Sequence, residues 1–120
     1  MGERARPPDD ISPVEFFTVW LPARVAEDHE RRELLGDTAA LLVFDLQGEQ
    51  GGTFTVQVAS GVLIGSEGRA AEPDLEVRVD LETWRALNRG ELAAPEALLR
   101  RRLQISGKLM LALKLHVILG

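Results

Sequence analysis

The residue types that most often carry out chemistry are scarce in this sequence and stand apart from one another. There are two histidines, His29 and His116, and no cysteine. His29 lies in the charged run Glu27-Asp28-His29-Glu30-Arg31-Arg32-Glu33, which is typical of a solvated helix face. His116 lies in an apolar helix, where a structural histidine near the helix end is the favoured interpretation. Because a metal normally takes three or four ligands and no second ligand stands near either histidine, no metal site is predicted.

Serine and glycine motifs do not indicate a reaction centre either. Ser60 and Ser66 stand in predicted turns outside a Gly-x-Ser-x-Gly context, and no histidine is placed to act as their base. Gly48, Gly51 and Gly52 would need a helix behind them to bind a phosphate, but a predicted strand follows. The 19 aspartates and glutamates are abundant without any spacing that pairs them for acid–base catalysis. We therefore predict that the chain is not an enzyme and has no catalytic residue, cofactor or metal.

Composition points to one folded domain. The chain has 120 residues, of which 45% are hydrophobic and 28% charged, as in an ordinary globular protein. The net charge of −5 argues against general nucleic-acid binding, which needs clustered positive charge. The N-terminus lacks the apolar core of a secretory signal, and the apolar stretch 109–119 is about half the length of a membrane span. We predict a flexible tail over residues 1–11, a single domain over residues 12–120, and a cytoplasmic location.

Helical signals open the domain and then give way to strand signals. Ser12-Pro13-Val14-Glu15 forms a capping box that predicts a helix start. Pro22 predicts a kink or a division into two short helices, the second ending near Gly36. From Thr38 the apolar residues alternate with a period of two, which predicts strands. The predicted strands cover residues 38–46, 53–58, 62–64, 75–79 and 103–105.

Helical signals return after the fourth predicted strand. Asp80 is expected to cap a short helix that Gly90 closes, and Pro95 begins another helix. The last predicted helix, 108–119, is apolar on nearly every side, so either protein or a bound molecule must cover it. The whole pattern predicts an α+β fold in which a five-stranded mixed, mostly antiparallel sheet is covered by helices mainly on one face.

Six segments of the chain carry a family pattern. They are Phe44-Asp45-Leu46-Gln47-Gly48, Gly52-Thr53-Phe54-Thr55-Val56, Pro73-Asp74-Leu75-Glu76-Val77-Arg78-Val79, Leu81-Glu82-Thr83-Trp84, Gly90-Glu91-Leu92 and the stretch 98–115. In the last segment a basic run leads through a Leu-x-Ile strand and a glycine into an Ala-Leu-Lys-Leu helix. Together these segments, over about residues 13–119, resemble the sterol carrier protein 2 family. The Arg-Arg-Leu form looks like stand-alone bacterial members linked to isoprenoid-quinone biosynthesis.

The resemblance implies an apolar tunnel that accepts sterol-like, fatty acyl or prenyl lipids. The residues expected to bind the lipid are Phe17, Trp20, Phe44, Phe54, Val56, Trp84, Leu98, Leu103, Ile105, Met110, Leu113 and Val117. Arg100, Arg101 and Arg102 are expected to contact a lipid headgroup or a membrane, against the alternative of a solvated helix end. The predicted function is therefore binding of an apolar lipid, with intracellular transfer as the activity that the resemblance implies.

A second functional reading stays open beside the lipid carrier. The chain could be a non-catalytic interaction domain that docks a partner protein through the apolar C-terminal helix. Transient membrane contact, a homodimer and a biosynthetic-enzyme partner also remain open, whereas no nucleic-acid partner is expected. The ending Val117-Ile118-Leu119-Gly120 lacks a Ser-Lys-Leu signal, so the peroxisomal role of eukaryotic members is not expected.

Overall fold

The computed structural model describes the backbone of residues 7–119 and the side chains of residues 7–114. Six α-helices, α1 to α6, cover Pro13–Glu15, Leu21–Glu27, His29–Leu35, Leu81–Asn88, Ala94–Leu99 and Leu109–Leu119. A π-helical segment, Phe16–Trp20, joins α1 to α2. Five strands, β1 to β5, cover Ala40–Gln47, Gly52–Ala59, Val62–Glu67, Leu75–Asp80 and Leu103–Gly107.

The five strands form one sheet in the order β3-β2-β1-β4-β5. The central strand β1 pairs in parallel with β4, while the other three pairs of neighbours are antiparallel. Phe44 on β1 therefore lies between Phe54 on β2 and Val77 on β4. This arrangement confirms the predicted α+β fold with a mixed, mostly antiparallel sheet.

The N-terminal helices begin where the capping box predicts, but they divide at a different residue. The Glu15 amide donates a hydrogen bond to Ser12 Oγ at 3.1 Å, and Pro13 takes the first helical position. Pro22 lies inside a continuous helical run, because the wider π segment before it accommodates a residue that has no N–H to donate. The division lies at Asp28, whose extended backbone and side chain cap α3. The last of these helices, α3, ends at Leu35, and its C-cap residue Gly36 has a φ of 53°, which agrees with the predicted end near Gly36.

A close backbone approach fixes the π segment against the sheet. A Cβ atom at Gly65 on β3 would overlap the carbonyl oxygen of Phe17, so only glycine allows this contact. As a result, the Phe17 side chain is fully buried in the core. Its ring stacks on Phe54 at 5.0 Å and also contacts Phe44 at 5.0 Å between centroids. The sequence of β3 thus determines how deeply the π segment reaches into the domain.

The two faces of the sheet differ in chemistry. The apolar face carries the buried core and is covered by the helices, as predicted. The other face is polar: Arg69 forms an ion pair with Glu76 at 2.8 Å and approaches Asp45 at 3.6 Å. The connection between β3 and β4 crosses this polar face, where the Ala70 amide donates to Thr55 Oγ1 at 3.0 Å. The Arg69 guanidinium lowers the pKa of the Glu76 carboxyl, which keeps this pair ionised.

The segment just before α1 packs onto the domain. Ile11, which the sequence places in the predicted tail, is only 5% exposed and belongs to the core. Arg85 on α4 donates hydrogen bonds to the carbonyl oxygens of Asp9 and Ile11, at 3.2 and 3.0 Å. Among the residues that the structure describes, no helix combines the length and apolarity needed to cross a bilayer.

Candidate functional site

A cavity of about 260 Å³ lies between the apolar face of the sheet and the helices. Among the residues that the structure describes, those that line it are apolar except Asn88 at the end of α4. They are Phe16, Phe17, Leu21, Leu42, Phe44, Leu75, Val77, Val79, Trp84, Leu87, Asn88, Ala94, Leu103, Ile105 and Ala112. A concave, largely apolar space with one polar group is the usual form of a small-molecule site.

Three neighbouring strands supply the floor of the cavity. Side chains alternate between the two faces of a strand, so the residues of β1, β4 and β5 that line the cavity are spaced two apart. The strand register aligns these residues in rows: Phe44 lies beside Val77, and Val77 lies beside Ile105. In the adjacent row Val79 lies beside Leu103. The alternating sequence of the strands therefore produces a continuous apolar floor.

The π segment and α4 supply an aromatic wall. Asp80 caps α4 by accepting hydrogen bonds from the Thr83 amide at 2.7 Å and the Thr83 hydroxyl at 3.0 Å. This cap places the next residue, Trp84, at the cavity. The Trp84 ring meets Phe16 edge-on at 5.2 Å and lies 6.1 Å from Phe17. Such edge and offset contacts between rings stabilise the wall beyond the effect of burial alone.

A polar clamp positions α6 over the remaining side. The Asp74 carboxylate accepts hydrogen bonds from the Leu41 amide at 2.9 Å and from Lys108 Nζ at 3.0 Å. The Leu41 hydrogen bond and then the Lys108 ammonium lower the pKa of the Asp74 carboxyl. Gly107, with a φ of 111°, lies so close that a Cβ would overlap the Asp74 carbonyl oxygen. Helix α6 begins directly after Lys108, and its residue Ala112 lines the cavity.

The structure gathers part of the expected lipid-binding set around the cavity. The residues of that set that line it are Phe17, Phe44, Trp84, Leu103 and Ile105. Phe54 and Val56 are buried in the adjoining core on β2, and Trp20 is half-buried and stacked on Phe16 at 5.4 Å. Leu98 on α5 is largely exposed. Contact of any of these residues with a lipid stays a prediction.

Two of the three expected residues on α6, Met110 and Leu113, lie on its outer side. Met110 is 77% exposed and Leu113 is 61% exposed, while Ala112 between them lines the cavity. Leu111 is half-buried against the core. Val117 and His116 lie outside the residues whose side chains the structure describes. A helix that is apolar on every side gives no periodic signal for the face that turns inward, so sequence alone does not separate Ala112 from its larger neighbours.

Several lining residues were not expected from the sequence. The alternation of β1 and β4 places Leu42, Val77 and Val79 on the same face as Phe44, and this signal could have identified them. Small residues such as Ala94 and Ala112 carry no such signal. Asn88 is polar and therefore falls outside a search for apolar wall residues.

The arginine run does not form one patch, because its three side chains take different partners. Arg100 pairs with Glu96 on α5 at 2.6 Å. Arg102 Nε donates to Thr83 Oγ1 at 3.1 Å, which ties the run back to the start of α4. Arg101 has a φ of 61° and is exposed. The left-handed turn at Arg101 thus separates the directions of its two neighbours.

None of the described lining residues carries an acidic, basic or metal-ligating side chain. Within the described side chains, no cluster of three or more His, Cys, Asp or Glu residues could hold a metal ion. His29 is exposed on α3, as predicted, and contacts Glu33 at 2.9 Å. The arrangement of the lining residues is suited to sequestering an apolar molecule from water.

Comparisons with known proteins agree with this fold. The family model described as the SCP-2 sterol transfer family matches residues 21–120. The palmitated sterol carrier protein 2 like 2 of Aedes aegypti is 25% identical, with a TM-score of 0.73 over 92% of this chain and 96% of that one. Sterol carrier protein domain 2 of Helicoverpa armigera is 20% identical, with a TM-score of 0.72 over 98% of this chain and 91% of that one. A comparison with curated protein sequences finds no match.

The fold also occurs as part of a larger enzyme. A double mutant of a sec-alkyl sulfatase from Pseudomonas sp. is 17% identical, with a TM-score of 0.73 over 93% of this chain. The match spans only 16% of the sulfatase chain, so the likeness shows a shared fold alone. The family match, by contrast, covers most of the sequence and includes all five strands. The chain belongs to the SCP-2 sterol transfer family.

Proposed function

We propose that this chain binds the apolar chain of a lipid in the cavity between β1, β4, β5 and the helices, and carries it through water. The observation that carries the proposal is the cavity of about 260 Å³, whose fifteen described lining residues are apolar apart from Asn88. Membership of a sterol transfer family supports the same reading.

The cavity volume limits how much lipid fits. A cavity of about 150 Å³ with apolar walls accommodates benzene, which has six carbon atoms. On the same scale, the volume of about 260 Å³ holds about ten carbons of a hydrocarbon chain. Burying ten methylenes gains about 8 kcal/mol before the costs of binding are subtracted. Without those costs this energy would correspond to a dissociation constant of about 1 μM, so that value is the upper limit of the affinity.

The chain class that fits best is a fatty acyl or prenyl chain rather than a rigid ring system that needs the whole volume at once. The Aedes aegypti relative was solved in a palmitated form. A palmitoyl chain is longer than about ten carbons, so the proposal places its first part in the cavity and the remainder toward the unenclosed side.

A chain-length series tests this proposal. Linear alcohols from hexanol to hexadecanol are titrated against the full chain, with the combined fluorescence of Trp20 and Trp84 and native mass spectrometry as readouts. The expected result is an affinity that rises about fourfold per methylene up to about ten carbons and then levels off. Absence of any adduct across the series would overturn the proposal.

We further propose that the end of α5 makes transient membrane contact. Leu99 is 85% exposed and Leu98 is 46% exposed, beside the exposed cation Arg101. An apolar pair next to a positive charge suits the surface of an anionic bilayer. The cavity residue Ala94 lies on the same short helix, so membrane contact and lipid entry would involve one element.

One observation favours a second function, the docking of a partner protein on α6. Leu109, Met110 and Leu113 are all exposed on the outer side of this helix. Large exposed apolar groups on one surface are typical of interaction sites. The two functions differ in a simple measurement, because docking predicts that alcohols leave the mass of the isolated chain unchanged.

A further inference from the structure

Helix α5 covers one side of the cavity and packs against the domain through small side chains. Ala94 lines the cavity, and Ala97 is completely buried. The methyl groups of two alanines bury little apolar area, so they stabilise the packed position of α5 only weakly. The larger side chains of this helix, Leu98 and Leu99, are instead exposed to water. Apolar packing therefore holds α5 loosely.

Among the described residues, no hydrogen bond or ion pair ties α5 to the rest of the domain. The polar contacts of residues 94–99 connect these residues only to one another and to the turns at the two ends of the helix. Two other helices that cover the apolar face do have such ties. Arg85 on α4 donates to carbonyl oxygens of the segment before α1, and Lys108 directly before α6 pairs with Asp74. Helix α5 can thus unwind without breaking a described hydrogen bond to another element.

The helix is also weak in itself. It has six residues, far fewer than the roughly 12 below which isolated helices are marginal in water. Ala93 takes the N-cap position and has no side chain that could accept a hydrogen bond from a free amide of the first turn. Arg101, with a φ of 61°, takes the left-handed position after the C-cap, which usually holds glycine. Loss of this helix therefore costs little free energy.

The residues on both sides of α5 are fixed, which limits the form that its movement takes. Leu92 before the helix is buried, and Arg102 Nε after it donates to Thr83 Oγ1 at 3.1 Å. The segment between these anchors can unwind while both anchors stay in place. We infer that α5 is a gate, which unwinds to open the cavity beside Ala94 and refolds to close it over a bound lipid. This inference rests on the proposed lipid binding and assigns to it the step that sets the rate of lipid entry and release.

Strengthening the start of α5 tests the gate without changing the cavity lining or the exposed leucines. Ala93→Ser places a side-chain acceptor three residues before Glu96, which completes a capping box. The release of decanol from the full chain to excess phosphatidylcholine vesicles is followed by stopped-flow tryptophan fluorescence. Release should slow about fivefold, because a helix cap lowers the population of the unwound helix by about that factor. The equilibrium affinity for decanol should stay within about twofold, because entry and release slow together.

Two further variants separate the gate from overall stability. Arg101→Gly relaxes the other end of α5, so it should slow release as Ala93→Ser does. Ser60 also has a positive φ, 54°, but lies in the turn between β2 and β3, away from the cavity lining. Ser60→Gly relieves strain there in the same way and should leave the release rate unchanged. Urea denaturation of all three variants measures their stability.

The outcomes separate this inference from the function on which it rests. Failure of decanol to bind the wild-type chain would overturn the proposed lipid binding itself. Binding with the same release rate in the wild type, Ala93→Ser and Arg101→Gly would leave lipid binding standing and overturn the gate. Equal slowing in Ser60→Gly would also overturn it, because the effect would then follow overall stability. Slower release in the two α5 variants alone supports the inference.

Discussion

Filling the cavity separates a lipid carrier from an interaction domain with a closed core. Ala112 on α6 lines the cavity, and Ala112→Phe directs a phenyl ring into it. A ring of that size takes about 150 Å³, which leaves room for about four carbons instead of ten. The gross energy of burying a chain then falls from about 8 to about 3 kcal/mol, a loss of more than a thousandfold in affinity. Detectable lipid binding should disappear.

The same substitution should make the empty protein more stable. Burying the new ring gains about 1.5–3 kcal/mol, and the lower helix propensity of phenylalanine removes about 0.5 kcal/mol of that gain. The expected net change is an increase of about 1–2 kcal/mol in the free energy of unfolding. In a filled core the extra ring would instead cost about 1–3 kcal/mol through overpacking. The two readings therefore predict changes of opposite sign.

Urea denaturation of ligand-stripped protein measures the stability, and native mass spectrometry with decanol measures binding. Leu113→Phe is the matched control, because the neighbouring side chain lies on the exposed side of the same helix and should change neither quantity. A loss of more than about 1 kcal/mol in Ala112→Phe would refute the open cavity, because it is the signature of overpacking.

Three other substitutions test the clamp and the membrane surface. The pKa of the Asp74 carboxyl is lowered in the folded state, so its stabilising effect is complete above the ordinary carboxyl pKa of about 3.9 and is lost as the pH falls through the lower folded value. Asp74→Asn should therefore reduce the loss of stability at acid pH, as measured by urea denaturation at a series of pH values. Gly107→Ala should lower the free energy of unfolding by about 1–3 kcal/mol or more. The loss should exceed that of Gly68→Ala, because Gly68 also has a positive φ, 106°, but a Cβ added there meets no atom within 4 Å. Equal losses in the two variants would contradict the argument that close approach at Gly107 excludes a side chain. Arg101→Gln should weaken co-sedimentation with anionic vesicles about fivefold, whereas Arg32→Gln on α3 should not; equal effects of the two would contradict a local contact at α5.

The sheet could be predicted from the sequence because its signals are local and consistent. The alternation that begins after Thr38 and the helix cap at Asp80 both depend on neighbouring residues, and the structure has the same elements there. The position of the break in the N-terminal helices could not be predicted in this way. A proline usually interrupts a helix, but here the π segment accommodates Pro22 and Asp28 makes the break.

The candidate site was harder to predict than the fold, because it depends on how distant elements meet. The orientation of α6 is set by the clamp between Asp74 and Lys108, which are far apart in the sequence. Without that contact nothing distinguishes the inward Ala112 from the outward Met110.

Solution NMR of the full chain with uniformly ¹³C-labelled decanol tests the location of the lipid most directly. If the chain lies in the cavity, its methylene protons give nuclear Overhauser effects to Phe44 and Val77 on the floor and to Trp84 on the wall. Effects confined to the exposed Met110 and Leu113 on the outer side of α6 would contradict cavity binding.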